Sequence, residues 1–434
     1  MVAFRIEYQE NPRLKMEPPV KAVCLVVTSG VLALGCKSLQ SSEPESLSNA
    51  EASAPKLGEE YPEPDEDQHI ASLVQLTFEI MDKYKKAEKT PGAPLKRDVH
   101  TKSHGCLLGI FEVRPDLPAD FATGIFQGSA RYPVIARTSN GVNGMTSDKT
   151  PSTRGLAIKL LDVEKVLAPF HVPAEEMAWA MPKYSGMQQD FSFLNGSAFI
   201  IKDLPTYVAF TEGVRDGKPL GAFVNLDPSH PRFKPMQFKT FVDSVLQSVK
   251  QPMQITYYGQ LPHKFRDTAA KYRLDPCEGS KPTVPASGGD NQLRDNLKKT
   301  LEKDSICYAL SVILQKDAVA QPIEDSNIEW LSSDEDIAAG RRFANRTEVG
   351  RFLFPPQMFD SPGMEAKCEK LSFNPWHSLN AHRPLGNMQR ARKAVYLAGA
   401  KYRDANIEAQ RPEPIHAAYL ENLSSYGLQS SASK

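Results

Sequence analysis

The chain has 434 residues, enough for two or three domains or for one large barrel with added helices. Apolar residues make up 41% of it and 52 Lys+Arg balance 52 Asp+Glu, so a sizeable core is expected and no net positive field draws nucleic acid, which is excluded as an expected partner. Six cysteines without CxxC spacing or the density of a disulfide scaffold argue against structural zinc and a stapled mini-fold, and leave the redox compartment open.

Residues 1–36 read as a targeting segment. Lys21 precedes an apolar run from Ala22 to Gly35, broken only by Thr28 and Ser29, that is short for a bilayer span and suits a secretory h-region. Cys36 ends the run and a Ser-rich stretch follows, a pattern that resembles the lipidated cysteine of a bacterial lipoprotein signal. The stretch from Met1 to Lys15 is long and acidic for an n-region, which favours Met16 as the start. The alternative is a short uncleaved anchor or an apolar segment packed on the domain. The expected location is a bacterial cell envelope, with membrane contact through an N-terminal lipid anchor at Cys36.

Residues 37–68, rich in Ser, Glu, Pro and Ala, bury too little apolar surface to order themselves and read as a disordered tether. A folded domain is expected over 69–410. It opens with an amphipathic helix at 70–86, which puts Ile70, Leu73, Val74, Met81 and Tyr84 on one face. Strand-like runs follow at 105–113, 132–139, 155–161, 190–202, 254–258, 306–315 and 347–354, and helices at 204–214, 236–248, 290–303 and 387–404. So many strands need their edges closed or covered, which favours a barrel. Residues 411–434 form a polar tail.

Two motifs far apart carry the chemistry. Arg97-Asp98-Val99-His100 lies just before a strand that begins at Gly105. Arg392 and Tyr396 stand four apart on the last helix, so they share a face and can meet. Taken alone, His100 and His104 are lone polar residues at a strand start, and Arg392 and Tyr396 the rim of an amphipathic helix.

The motifs resemble those of the catalase family, and the Asn374-Pro375-Trp376-His377 and His382-Arg383-Pro384-Leu385-Gly386 segments resemble its divergent, catalase-related members. Arg-x-x-His before the first barrel strand, Arg137-Thr138-Ser139, Thr153-Arg154-Gly155 and Asp190-Phe191-Ser192-Phe193-Leu194-Asn195 fall in the family's order. The resemblance implies an α+β fold, a catalase-like antiparallel β-barrel with helical additions, holding one haem b. It makes His100 the distal acid and base, Ser139 its hydrogen-bond partner, and Arg392 the support of Tyr396, which ligates the iron. Arg97, Arg137 and Arg154 would neutralise the haem propionates, with Tyr207 and Phe210 packing near the macrocycle.

The distal asparagine of the family falls on Leu194 in a strict alignment. Asn195 takes the role only if the strand bulges by one residue. The implied function is a haem-dependent enzyme acting on hydrogen peroxide or organic hydroperoxides. The alternative is a non-catalytic haem-binding lipoprotein or one degenerate in the catalase fold, and a homo-oligomer is left open.

Overall fold

The computed structural model describes residues 54–89, 95–141, 143–181, 188–229, 231–279, 288–331 and 346–403. Segment 1–36 with Cys36, tether residues 37–53 and tail 411–434 lie outside them.

Eight strands form the centre: β1 (Ser103–Val113), β2 (Arg131–Asn140), β3 (Arg154–Leu160), β4 (Gln189–Leu194), β5 (Tyr257–Phe265), β6 (Thr268–Pro276), β7 (Ile306–Leu314) and β8 (Arg346–Phe354). Each pairs antiparallel with its neighbour in sequence, and β8 returns to β1, so the sheet closes. Closure protects the strand edges, and where β4 and β5 meet only at Leu194 opposite Tyr258, residues 377–385 bond Asp190, Pro262 and Lys264 of the two strands. Successive side chains point to opposite faces, so alternate residues fill the interior: Tyr132, Val134 and Ala136 of β2, Leu156, Ile158 and Leu160 of β3, Phe191 and Phe193 of β4. At the closing seam Phe111 faces Phe352, ring centres 4.5 Å apart.

The barrel and its helical additions agree with expectation, and the differences have local causes. The strand expected over 190–202 ends at Leu194, because beyond it Asn195 turns its side chain to accept from the Arg154 backbone N–H at 2.8 Å. Expected strand 254–258 is instead β5, displaced toward the C-terminus, and β6 was not anticipated. Pro262 within β5 reads as a strand breaker, and the register shifts between Gly259 and His263 accommodate it. In β6, Lys271, Arg273 and Asp275 alternate with inward Ala270, Tyr272 and Leu274, so its charged face hides a core strand.

Six longer helices cover the barrel: α1 (Glu66–Ala87), α2 (Leu204–Asp216), α3 (Pro235–Val245), α4 (Gln292–Leu301), α5 (Pro362–Lys370) and α6 (Asn387–Arg403). The Asp203 side chain caps α2 by accepting from the Thr206 N–H at 2.9 Å, and Gly217 ends it with φ 76°. Helix α5, absent from the sequence reading, starts with a Ser361 cap and Pro362 in its first turn. Leu73 of α1, Leu204 of α2 and Met388, Ala391 and Val395 of α6 share a cluster with Leu261 of β5, so these helices form a layer outside the sheet.

The expected tether is corrected at its end. Glu60 bonds the Arg383 guanidinium at 2.7 Å, Arg390 at 2.6 Å and the Gly386 N–H at 2.9 Å, so the chain is already fixed on the domain well before residue 69. The four cysteines among the described residues do pair, although their spacing did not reveal it. Cys106 of β1 is bonded to Cys368 of α5, and Cys277 to Cys307 at the β6 and β7 ends. Among the described residues no helix is long and apolar enough to cross a membrane.

Candidate functional site

Between the outer face of β2–β5 and the layer of α1, α2 and α6 lies a cavity of about 340 Å³, within the range of small-molecule and cofactor sites. The strand period makes room for it. Outward positions facing it on β3 and β4 carry Gly155, Ala157 and Ser192, while their inward neighbours are large. The helical wall is apolar, with Leu73, Ile80, Phe210 and Val395 among its residues.

One wall carries His100. Its backbone is in the left-handed region, φ 56°, which turns the side chain out of line with the incoming β1 strand. The ring Nδ1 lies 3.1 Å from Ser139 Oγ of β2, and the backbone carbonyl accepts from Arg137 Nη1 at 3.0 Å. Gly155 makes the approach possible, since a Cβ there would sit 2.6 Å from the imidazole Cε1 and Nδ1. Burial pushes the His100 pKa down to about 4, helped by the cations of Arg137, Arg392 and Arg97, so the ring is neutral at pH 7.

The same cavity is lined by Tyr396. Arg392 Nη2 donates to Tyr396 Oη at 2.8 Å, Arg392 Nη1 donates to Gln389 Oε1 at 3.0 Å, and the buried Gln389 amide lies 3.4 Å from His263 Nε2. His263 Nδ1 donates to the Leu261 carbonyl at 3.1 Å, which leaves Nε2 as the acceptor. Burial, then the Arg392 cation, lowers the His263 pKa to about 3 and keeps that ring neutral. Arg392 therefore donates in two directions, onto the phenol oxygen and onto the Gln389 carbonyl oxygen, which turns the Gln389 NH2 toward His263. Trp376 Nε1 holds the start of α6 through the Gln389 carbonyl at 2.7 Å.

Arg97, Arg137 and Arg403 meet at one region of the wall. Glu369 of α5 sits among them, 2.6 Å from Arg97 and 3.2 Å from Arg137. Burial would raise the Glu369 pKa, but the Arg97 and Arg137 cations outweigh it and hold the carboxylate below its usual range. Crowding acts on the arginines as well: burial and the neighbouring Arg97 lower Arg137 and Arg403 to about 9, still protonated at neutral pH. Asp98 also lines the cavity, and burial raises its pKa against the pull of Arg403 and Arg97.

The predicted residues separate into two groups. His100, Ser139, Arg97, Arg137, Tyr207, Phe210, Arg392 and Tyr396 all border the cavity. Arg154 and Asn195 do not. Arg154 donates to Asn140 Oδ1 at 2.6 Å and the Asp148 carbonyl at 3.2 Å, within a buried network that includes the Lys102–Asp148 ion pair at 2.8 Å. Asn195 is spent on backbone and Gln247 contacts, donating to the Ser244 carbonyl at 2.8 Å. No bulge intervenes: β3 and β4 pair in unbroken register to Gly155 opposite Leu194, so Leu194 faces the cavity.

Gln389, His263, Arg403, Asp98 and Glu369 were not anticipated as site residues. Arg403 and Gln389 carried a signal, being seven residues after and seven before Tyr396, two turns along the helix face. Glu369 had none, because its helix was not foreseen.

Neither a protein-family model nor a curated protein sequence matches the chain. Its structure is similar to that of a bacterial catalase, with a TM-score of 0.50 and 17% identity over 78% of this chain. A fungal catalase gives 0.51 and 15%, and catalase A from Saccharomyces cerevisiae 0.51 and 14%, each over 86% of this chain. The chain spans 62% of the bacterial catalase, 69% of the fungal one and 71% of the yeast one. At such identities the likeness is one of fold, and the conclusion it supports is that this chain has a catalase-like fold, an eight-stranded closed barrel with helical additions.

Proposed function

We propose that the cavity binds haem b and that the protein is a haem-dependent enzyme acting on peroxide, of catalase or peroxidase type. The observation that carries the reading is the pairing of a neutral, serine-bonded imidazole with an arginine-bonded phenol on one cavity. The residues present suit the group. The phenol already accepts a charge-assisted hydrogen bond, as a tyrosinate ligand requires. Arg137 is buried, and its Nε has no partner in the protein, leaving a donor for an anionic group.

Bound haem would supply a redox-active iron at which the peroxide O–O bond is broken. Tyr396 would hold the iron through its phenol oxygen, with Arg392 bonded to that oxygen. His100, its Nδ1 committed to Ser139, would take a proton from peroxide at Nε2 and return it to the departing oxygen, a role worth about 10² to 10⁴ in rate. Arg97, Arg137 and Arg403 would pair with the carboxylates at the haem edge, since buried anions need cations.

Leu194 favours a second reading, a haem-binding protein with little turnover, because an apolar side chain cannot orient peroxide by hydrogen bonding. The two disulfides suit an oxidising compartment, which is compatible with the export that the segment before Cys36 implies.

The test is the visible spectrum of the protein supplied with haem, compared with Tyr396→Phe, followed by addition of hydrogen peroxide or an organic hydroperoxide. A ferric Soret band that is shifted or lost in the variant supports tyrosinate ligation, and oxygen release or donor oxidation separates the two enzymatic types. Stoichiometric haem without either reaction leaves the binding protein. Absence of haem from the parent overturns both.

A further inference from the structure

Three guanidiniums that line the cavity converge on one residue of α5. The Glu369 carboxylate bridges Arg97 Nη1, at 2.6 Å, and Arg137 Nη2, at 3.2 Å. Its backbone carbonyl accepts from Arg97 Nη2 at 3.5 Å and from Arg403 Nη1 at 3.3 Å, and the Leu371 carbonyl accepts from Arg97 Nη2 at 2.7 Å. Like charges this close repel, and each long side chain is free to turn away unless something fixes it. The fixing element is covalent. Cys368, the residue before Glu369, is bonded to Cys106, and Cys106 lies directly opposite Arg137 in the β1–β2 ladder. One crosslink therefore sets the position of the carboxylate relative to the arginine it holds.

We propose that Glu369 is a positioning residue for the anion-binding side of the cavity: it holds Arg97 and Arg137 in place for the carboxylates of the bound group, and the Cys106–Cys368 disulfide holds Glu369. This rests on the haem reading and deepens it. Arg137 spends both Nη atoms on the His100, Thr101 and Glu369 oxygens, and its buried Nε stays without a protein partner. Glu369 thus fixes the guanidinium without consuming the donor that remains for a ligand. The carboxylate and the disulfide also sit outside the lining of the cavity, so they act on a ligand only through the arginines.

The experiment titrates the full chain with haemin and with haemin dimethyl ester, which has the same iron and ring but no carboxylates, following the Soret band and tryptophan fluorescence. Glu369→Gln and the double variant Cys106→Ala/Cys368→Ala are expected to weaken haemin binding about tenfold, the size of a lost charge-assisted hydrogen bond. Both should bind the dimethyl ester within about twofold of the parent. The double variant Cys277→Ala/Cys307→Ala, with its crosslink far from the arginines, should change neither affinity. Retained ester binding shows that the variants fold.

Haemin affinity that is unchanged or increased in Glu369→Gln overturns the inference and leaves the haem reading standing, an increase identifying the carboxylate as a competitor of the ligand. Equal losses for haemin and its ester also overturn it, as general loosening. A parent that binds neither ligand ends the haem reading and this inference with it.

Discussion

At the residue scale the site depends on His100 being neutral and aimed. Burial pushes its pKa to about 4, and the same lining carries Leu194 where an amide would orient a small polar ligand. A neutral ring is present across the whole range above that value. Peroxide turnover should therefore be level from about pH 6 upward and fall as pH drops through about 4, when the imidazole is protonated and can no longer accept a proton. A fall centred near pH 6.5 would assign the base to an ordinary exposed histidine instead. Leu194→Asn should add a hydrogen-bond donor to the cavity and raise oxygen release from hydrogen peroxide by about tenfold, a modest share of what one preorganised donor contributes elsewhere. An unchanged rate would mean that orientation by an amide is not what limits this site.

That His100, Ser139, Arg392 and Tyr396 border one cavity was legible in the sequence, because each sits in a short motif whose spacing determines its geometry. Gln389 and His263 were not, since their roles exist only once α6 lies against β5. Asn195 misled for the converse reason. It lies one position past the end of β4, where its side chain is held by the Arg154 N–H and the Ser244 carbonyl and not by the cavity.

At the element scale, strands with continuous apolar or alternating patterns were found within a few residues, and those broken by Pro262 or covered by Lys271 and Arg273 were not. Helix α5 had a readable start in Ser361 and Pro362, but its body, Gly363-Met364-Glu365-Ala366-Lys367, lacks an apolar stripe. The disulfides could not be read at all, because pairing depends on the meeting of strands that only the closed barrel brings together. The Cys277–Cys307 crosslink joins the ends of neighbouring strands β6 and β7 and closes a loop of sequence separation 30. Chain-entropy arguments give such a loop about 3.6 kcal/mol, so Cys277→Ala/Cys307→Ala should lower unfolding stability by about that amount in a denaturant melt. A change below about 0.5 kcal/mol would mean that the strand ladder alone orders this end of the barrel.

Across the whole molecule, four histidines among the described residues, His100, His104, His263 and His382, are held in the neutral form. Burial is the leading cause in each case, lowering His100 to about 4, His263 and His382 to about 3, and His104 in the same direction. All have folded pKa values below the ordinary value near 6.5, so the unfolded chain binds protons first. The stability they contribute is fully present above about pH 6.5 and is lost as pH falls toward 4 and below. Each proton taken up costs about 1.4 kcal/mol per pH unit, and four such groups give a slope of up to about 5 kcal/mol per unit. The depressed carboxylates Asp190 and Glu60 add to the loss at lower pH. Calorimetry between pH 7.5 and 4.5 should show a steep fall in Tm with proton uptake on unfolding; a flat Tm would mean these rings are protonated in the native state.

The cavity has one wall from the start of the domain and one from its end. Thr77 of α1, His100 before β1 and Tyr396 and Arg403 of α6 all border the same space. A chain emerging from the ribosome therefore exposes its imidazole wall long before the phenol exists, and a nearly complete barrel still has nowhere to keep a cofactor. Any ligand that needs both walls has to bind after α6 is made. If the chain binds haem as proposed and is exported unfolded, loading takes place on the far side of the membrane.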